Sequence, residues 1–180
     1  MITNCMVAGK ENSLKQWVII ANMRSLKKGY AMRSVVQRVD RADIRVKGKR
    51  LSGIEKGILV FLGIEQGDRE SDADYLVDKI VHLRIFADQE GKMNLSLVDV
   101  QGEMLVVSQF TLLGDSRKGR RPSFTGAENP DRARLLYDYF MENAKGKVKR
   151  CAEGEFQAMM SIEMVNNGPV TLLLDSRKVF

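Results

Sequence analysis

The alternation of apolar and polar residues predicts a group of strands early in the chain. Residues 33–39 and 42–46 alternate as strands with one buried face do, and a turn at residues 47–49 leads into a short strand at residues 51–54. Residues 57–64 are apolar on both faces, which is typical of a central buried strand. We expect these strands to be antiparallel neighbours.

Two later stretches repeat their apolar residues at helical spacing. The first follows Gly67 and Asp68, which can cap a helix, and the second begins with the capping residue Asn129 and with Pro130 at the first helical position. We expect two amphipathic helices. Their apolar stripes consist of Ala73, Leu76, Val77, Ile80 and Leu83 in the first and of Ala133, Leu136, Tyr139 and Phe140 in the second.

Polar residues interrupt one apolar stretch in the second half of the chain. Residues 103–114 have the composition of a buried strand, but Ser108, Gln109 and Thr111 lie within it. Buried polar side chains cost free energy unless they are hydrogen-bonded, so these are either satisfied core residues or the floor of a site. The predicted fold class is mixed α/β, with mainly antiparallel sheets curled into a barrel-like or sandwich core and two helices packed outside.

Residues 166–171 read Asn-Asn-Gly-Pro-Val-Thr and lie between two stretches of strand composition. Gly168 can take unusual φ values, whereas the φ of Pro169 is fixed and its peptide bond can be cis. We expect a sharp corner between strands, which can aim backbone carbonyls at a ligand. An ordinary turn is the alternative, and composition alone favours it.

The length and composition of the chain allow one domain. Its 180 residues, 44% of them hydrophobic and 29% charged, are enough for a single well-buried core. Cys5 and Cys151 cannot form a disulfide framework, and no apolar run approaches the roughly 20 residues that span a bilayer. We expect a single cytoplasmic globular domain at residues 32–180.

Residues 1–31 differ from the rest and form an N-terminal extension, which carries +4 of the net charge of +6. Three interpretations compete: a targeting segment, a genuine extension, and a start codon placed too far upstream. A transit peptide is rich in Arg and Ser, so the single Arg and two Ser argue against a targeting segment. Lys27, Lys28 and Gly29 require a purine-rich coding run, which resembles a bacterial ribosome-binding site. We hypothesise that the native protein begins at Met32; finding residues 1–31 by N-terminal sequencing of natively expressed protein would contradict this.

A polyanionic partner would need a local cluster of cations to bind, because the residues after the extension are only mildly basic overall. Residues 115–124 supply one. Guanidinium groups suit phosphate and an aromatic ring can stack on a base, so this is a candidate RNA-contacting loop; a solvated loop is the alternative. Its candidate contacts are Arg117, Lys118, Arg120, Arg121 and Phe124.

The sequence lacks conventional catalytic groups. Its only histidine, His82, falls on the side of the first predicted helix away from the apolar stripe, so neither a Ser-His-Asp triad nor a Cys-His pair can be assembled. No His or Cys cluster has metal-ligand spacing, and we expect no metal and no other cofactor. Hydrolysis would have to use hydroxyls, backbone N–H groups or the substrate itself.

Several motifs together resemble one family of enzymes. They lie at residues 32–39, 92–96, 108–112, 117–124 and 166–171, and the resemblance covers essentially all of the chain after residue 31. The motif Ser-Gln-Phe-Thr followed at this separation by Asn-x-Gly-Pro-Val-Thr resembles the D-aminoacyl-tRNA deacylases of the bacterial and eukaryotic type. The second Asn of the latter motif stands where Asp is more usual.

The resemblance implies an enzyme that cleaves the ester between a D-amino acid, or glycine, and the terminal ribose of tRNA and leaves L-aminoacyl-tRNA intact. It implies a homodimer in which a cis Gly168-Pro169 peptide enters the partner's active site. There Gly168 and Pro169, with Asn166 beside them, would hold the α-amino group and exclude an L side chain. The tRNA would contact the basic loop.

For the chemistry, the candidate catalytic residues are Ser108, Gln109, Phe110 and Thr111, and two mechanisms compete. Thr111 Oγ could attack the ester, but the sequence supplies no base for it. We favour an oxyanion site made by backbone N–H groups around Phe110 and Thr111, with the ribose 2′-hydroxyl helping to activate water. A non-catalytic RNA-binding module is the competing class, and a generic esterase is a weaker third alternative.

Overall fold

The structure is a computed structural model that describes residues 31–179, so the hypotheses on residues 1–30 and on the native first residue lie outside it. Eight strands, two α-helices and one 3-10 helix follow one another along this part of the chain. They are β1 (Arg33–Val46), β2 (Lys49–Ile54), β3 (Gly57–Gly63), α1 (Glu70–Val81), β4 (Phe86–Ala87), β5 (Met93–Leu95), β6 (Glu103–Ser108), the 3-10 helix (Phe110–Leu113), α2 (Pro130–Lys145), β7 (Arg150–Glu153) and β8 (Met160–Asp175).

The long strand β1 organises the main sheet. It pairs along one edge with β8 and along the other first with β3 and then with β2, always antiparallel. The strands β6 and β7 extend this sheet in parallel orientation. Ser52 Oγ in β2 donates to the Glu153 carbonyl of β7 at 2.7 Å, so the sheet is nearly closed into a barrel. The predicted fold class is confirmed, whereas the expectation that β2 and β3 pair is wrong, because both pair with β1.

Buried side chains fill both sides of the main sheet. The barrel interior contains a small apolar cluster from β1, β2, β3 and β6, which includes Ile44, Leu59 and Val107. A larger cluster lies between the other face of the sheet and the two helices, where Leu76, Ile80 and Phe140 are buried. The helices therefore pack outside the barrel, as their apolar stripes predicted.

The helix starts were predicted with unequal success. The carbonyl oxygen Oδ1 of the Asn129 side chain accepts the N–H of Arg132 at 3.0 Å, which confirms the cap of α2. The cap of α1 is Arg69 rather than Gly67 or Asp68, and its N–H donates to Asp72 Oδ2 at 2.9 Å. Among residues 31–179, no helix is long and apolar enough to cross a membrane.

The predicted strand at residues 103–114 is wrong after Ser108. The N–H of Gln109 still donates to the Leu62 carbonyl at 2.7 Å, but β3 ends at Gly63. After Gln109, no strand of residues 31–179 is available for the chain to pair with, and it turns into the 3-10 helix. The polar residues of this stretch thus lie at the end of a buried strand, where the backbone comes to the surface.

Candidate active site

A groove of about 740 Å³ lies beside the 3-10 helix. One wall is formed by Ser108, Gln109, Phe110 and Thr111, and the opposite wall by residues 156–160 with Ile162. The N-terminal turn of α2 lies at one side, through Pro130 and Ala133. The four predicted catalytic residues are therefore brought together in one cavity, and most of the other side chains around them are apolar.

The 3-10 helix leaves two backbone donors free at the groove. Its first internal hydrogen bond runs from the N–H of Leu112 to the Gln109 carbonyl, at 3.2 Å. The N–H groups of Phe110 and Thr111 precede this bond, and within residues 31–179 neither has an acceptor. Both residues are exposed. Two adjacent free N–H groups are the arrangement that can bind a developing oxyanion.

Side chains of the groove offer little acid-base chemistry. Gln109 donates its amide N–H to Thr111 Oγ, and an amide nitrogen cannot accept a proton from that hydroxyl in return. The single titratable side chain lining the groove is Glu128, whose Oε1 accepts the backbone and side-chain N–H groups of Asn129, at 2.8 and 2.9 Å. Its Oε2 lies 3.3 Å from Arg132 Nε, so this carboxylate is already engaged by one cation and by the N–H donors of Asn129.

Histidine, metal and thiol chemistry have little support around the groove. The side chain of His82 is 58% exposed at the end of α1 and is not among the residues that line the groove. Within the described part of the chain, no group of three or more His, Cys, Asp or Glu side chains could hold a metal ion. The burial of Cys151 raises the pKa of its thiol to about 12, so it is not a thiolate nucleophile.

Aromatic contacts join the groove to the basic loop. The ring of Phe124 packs edge-on against that of Phe110, with 5.2 Å between centroids. In the loop, Arg117 forms a bidentate ion pair with Asp115, with N···O distances of 2.8 and 2.7 Å, and this ion pair holds the pKa of the Asp115 carboxyl well below its usual range. By contrast, the exposed cations Lys118, Arg120 and Arg121 have no ion-pair partner among residues 31–179.

We expected a corner between two strands at the Gly-Pro motif. The motif lies instead within the single strand β8. Thr171 pairs with Gln37 and Asn166 pairs with Val39, so residues 167–170 of β8 lie opposite one residue of β1, Arg38. The surplus residues form a bulge. The Gly168-Pro169 peptide bond is cis, and both residues are exposed.

Polar side chains hold this bulge in place. Arg38 Nε donates to the Asn167 carbonyl at 3.3 Å, and another nitrogen of the same guanidinium donates to the Ile85 carbonyl. The side-chain amide of Asn167 donates to Asp40 Oδ1 at 2.7 Å. On the other side, Asn166 Oδ1 accepts the N–H of Val170 at 3.0 Å. The predicted selectivity residues therefore form a compact element with its own supports.

Within the single chain described, the bulge and the groove lie apart. Arg33 Nη1 donates to the Leu112 carbonyl at 3.1 Å, which places the 3-10 helix beside the start of β1. The bulge lies beside Arg38, and five residues of a strand span roughly 17 Å. None of Asn166, Gly168 and Pro169 lines the groove. The catalytic and selectivity residues predicted from the sequence are thus not assembled within a single chain.

Several residues of these two elements escaped the sequence analysis. Arg33 and Arg38 support the 3-10 helix and the bulge, but the apolar pattern does not distinguish them from other charged strand residues. Glu128 precedes the predicted helix cap Asn129, and no sequence motif marked it as a residue of the groove. Phe156 lines the groove, 5.8 Å from the ring of Tyr137 and 5.5 Å from the guanidinium of Arg134. Only tertiary packing brings it to the site.

Comparison with known proteins identifies the family. A sequence profile described as D-Tyr-tRNA(Tyr) deacylase matches residues 35–175. A protein of Syntrophus aciditrophicus named D-aminoacyl-tRNA deacylase is 60% identical over 149 residues, which are 83% of this chain and the whole of that protein. A protein of Thermosipho melanesiensis with the same name is 55% identical over 150 residues, again 83% of this chain and the whole of that protein. The chain therefore belongs to the D-Tyr-tRNA(Tyr) deacylase family.

Two solved structures resemble the fold. The first, titled c-Myc DNA Unwinding Element Binding Protein, is 40% identical in sequence, has a TM-score of 0.76, and matches 79% of this chain and 97% of its own. The second, titled as a probable eukaryotic D-amino acid tRNA deacylase, has a TM-score of 0.70 and matches 81% of this chain and 99% of its own. Its sequence is only 19% identical, so this second likeness shows the fold alone.

Proposed function

We propose that the protein hydrolyses the ester bond of D-aminoacyl-tRNA and releases the free D-amino acid and tRNA. This proposal rests on the free N–H groups of Phe110 and Thr111, two residues that line a groove in a chain of this family. The groove is large enough for a nucleoside with its aminoacyl group, because ligand sites of such size typically measure about 300–1,000 Å³. The half-buried ring of Phe156 offers an apolar surface for the terminal base.

The chemistry assigned to the groove uses water as the nucleophile. Water adds to the ester carbonyl, and the resulting oxyanion accepts hydrogen bonds from the N–H groups of Phe110 and Thr111. The ribose oxygen then leaves and takes a proton, while the neighbouring 2′-hydroxyl of the substrate relays the proton released by the water. Thr111 Oγ is the weaker candidate for nucleophile, because its neighbour Gln109 is a donor and not a base.

The selectivity assigned to the protein requires a second subunit. Asn166, Gly168 and Pro169 do not line the groove of their own chain, and the bulge lies roughly 17 Å away along β1. In a homodimer the exposed Gly168-Pro169 peptide would enter the partner's groove, where its carbonyls accept hydrogen bonds from the α-amino group. A rigid backbone at this position leaves no room for an L side chain.

The surface around the bulge suits such a dimer. Within the described chain β8 pairs only with β1, so its other edge is open. Met164, Val165 and Leu173 of this strand are 40%, 42% and 57% exposed, and exposed apolar side chains on an open edge are a common site of association between chains. The two-fold axis of a dimer would give each groove one bulge.

The basic loop provides the contacts with tRNA in this proposal. Lys118, Arg120 and Arg121 are exposed and keep their charges free for phosphate, whereas Arg117 is already paired with Asp115. Phe124 links the loop to Phe110 and thereby to the groove. Hydrolysis of glycyl-tRNA also belongs to the proposal, since an achiral substrate has no side chain to exclude. So does action in the cytoplasm, where charged tRNA is used.

A second candidate function is a non-catalytic nucleic-acid-binding module. It is favoured by the likeness, at 40% identity, to a protein whose title describes binding to a DNA unwinding element. The same exposed cations would serve such a role. It predicts binding without turnover.

Incubating the protein with D-Tyr-tRNA, L-Tyr-tRNA and Gly-tRNA separates the two functions. We expect free D-tyrosine and glycine to be released well above the spontaneous rate, and L-Tyr-tRNA to persist as it does without protein. Binding of all three without release would favour the non-catalytic module. Equal release of D- and L-tyrosine would contradict the selectivity assigned to the bulge.

A further inference from the structure

A second cavity, of about 630 Å³, lies on the far side of the 3-10 helix from the groove. We call it the polar cleft. Arg33, Glu65 and Gln66 form one side of it, and residues 113–117 with Ser123, Thr125 and Gly126 form the other. Most of its exposed lining consists of polar atoms, in contrast to the apolar groove. The catalytic and selectivity roles assigned above do not use it.

The polar cleft and the groove are separated by a thin wall. Three segments contribute residues to both cavities. In the first, Ile64 lines the groove and Glu65 lines the cleft; in the second, Ala127 lines the groove and Gly126 lines the cleft. The third segment is the 3-10 helix, whose first residues line the groove and whose last residue, Leu113, lines the cleft. A flexible chain that lies over this wall can therefore reach both cavities.

The wall carries a cation where such a chain would cross. Arg33 Nη1 donates to the Leu112 carbonyl at 3.1 Å, and its Nη2 lies 3.8 Å from Glu65 Oε2. Its side chain is still 36% exposed, and a guanidinium has five N–H donors, so donors remain for a phosphate. The basic loop, which lines the cleft through residues 115–117, also carries the free cations Lys118, Arg120 and Arg121.

We propose that the polar cleft binds the ribonucleotide that immediately precedes the terminal adenosine of the substrate. This inference rests on the function proposed above. The terminal nucleoside occupies the groove, its 5′-phosphate crosses the wall beside Arg33, and the preceding nucleotide enters the cleft. There the hydroxyls of Ser116 and Thr125 and the side-chain carbonyl of Gln66 supply hydrogen-bonding groups. The amide nitrogen of Gln66 already donates to the carbonyls of Thr125 and Ala127, at 3.0 and 3.3 Å. The single-stranded end of tRNA would thus be held at two successive positions.

Short substrates measure this second position directly. The kcat/KM for D-tyrosyl-adenosine is compared with that for the D-tyrosyl ester of the dinucleotide CpA, after subtraction of spontaneous hydrolysis. One additional charge-assisted contact predicts a preference for the dinucleotide of about tenfold. The same ratio is then measured for Ser116→Glu, which places a negative charge in the cleft, and for Ser71→Glu, which makes the same change on the exposed surface of α1.

We expect the ratio to fall toward one in Ser116→Glu and to remain at the wild-type value in Ser71→Glu. A wild-type ratio of one would overturn the proposal. So would a loss in Ser116→Glu that is equal for both substrates, because such a loss would report a general disturbance of the groove. Absence of hydrolysis of either substrate, and of D-Tyr-tRNA, would instead contradict the proposed function.

Discussion

The groove and the bulge present backbone groups to the solvent, but they are held in different ways. The 3-10 helix follows directly from β6, a buried strand of the barrel, and the Gln109 N–H continues the hydrogen bonding to β3. The bulge interrupts an open-edged strand and depends on the polar side chains of Arg38, Asp40, Asn166 and Asn167. One element is fixed by the core and the other by a small surface network.

The two elements also have complementary polarity. In the proposed mechanism the 3-10 helix would offer two N–H donors to an oxyanion, whereas the bulge would offer carbonyl acceptors to an ammonium group. Neither role needs a side chain at the reacting atoms. Substitutions that keep the backbone should therefore be tolerated in the groove, and substitutions that alter the backbone should not.

The largest effect is expected from Thr111→Pro, which removes one of the two N–H donors. Loss of one donor from an oxyanion site typically lowers kcat by roughly a hundredfold to a thousandfold. Thr111→Ala removes the hydroxyl and keeps the N–H, so it should retain most of the activity. The measurement is single-turnover deacylation of D-Tyr-tRNA by both variants.

Unfolding temperature and tRNA binding of the two variants are the controls, since Pro also restricts the preceding residue. A complete loss of turnover in Thr111→Ala, with the fold and tRNA binding intact, would contradict the backbone mechanism and favour Thr111 as the nucleophile.

A loss of about a hundredfold in kcat/KM is expected for Gly168→Ala, because a misplacement of about 1 Å at a site can have this effect. Gly168 has a φ of +123°, and an added Cβ would lie 2.8 Å from Val170 Cγ2 and 3.0 Å from Arg38 Nη2. Gly91→Ala is the matched control, since Gly91 also has a positive φ, of +79°, but no atom within 4 Å of an added Cβ. Unchanged kinetics of Gly168→Ala on D- and L-Tyr-tRNA would refute the selectivity role.

A smaller effect is expected when the loop loses its free cations. Replacing Lys118, Arg120 and Arg121 together by Ala should raise the KM for D-Tyr-tRNA by roughly tenfold and reduce its dependence on salt. The control replaces three exposed lysines elsewhere, Lys56, Lys79 and Lys92, and so changes the net charge equally. An equal rise in KM in both variants would mean that only the overall charge matters.

The smallest effect on function, though not on stability, is expected at Asp68. Burial raises the pKa of this carboxyl to about 7. The N–H of Glu65, which donates to Asp68 Oδ2 at 2.7 Å, lowers the pKa, whereas the negative charges of Asp72 and Glu65 raise it. The folded protein then binds more protons than the unfolded chain between about pH 4 and pH 7, so its stability falls as the pH rises through this range.

The isosteric variant Asp68→Asn keeps an acceptor for the Glu65 N–H and cannot ionise. We expect its unfolding free energy to exceed that of the wild type above about pH 7, by up to roughly 4 kcal/mol, and the difference to shrink as the pH falls toward about 4. Urea unfolding at several pH values measures this, with the exposed Asp131→Asn as control. A difference independent of pH would contradict the raised pKa.

The sequence predicted the parts of the fold that depend on local spacing. Apolar alternation and helical stripes placed β3 and both helices, and Asn129 with Pro130 identified the start of α2. The two strands predicted at residues 33–39 and 42–46 are instead one continuous strand, β1. The parallel pairing of β6 with its neighbours was not predicted, because an apolar strand carries no record of the direction of its partner.

The site was predictable where a motif lies within one segment. Residues 108–111 were identified by their polar interruption of an apolar strand, and the structure places them together in the groove. The form of the bulge depends on the register between β1 and β8. The two strands pair on both sides of the bulge, and this leaves four residues of β8 opposite Arg38. The wall around Phe156 arises from packing between segments far apart in sequence, which leaves no local pattern.

The central claim is that each active site combines the groove of one subunit with the bulge of the other, and mixed dimers test it most directly. Thr111→Pro has a defective groove and an intact bulge, whereas Gly168→Ala has the reverse. Exchanging the two weakly active variants in equal amounts should make about half of the dimers mixed, each with one complete site, and should restore roughly a quarter of the wild-type activity on D-Tyr-tRNA. Activity that stays at the sum of the separate variants, although mixed dimers have formed, would contradict the claim.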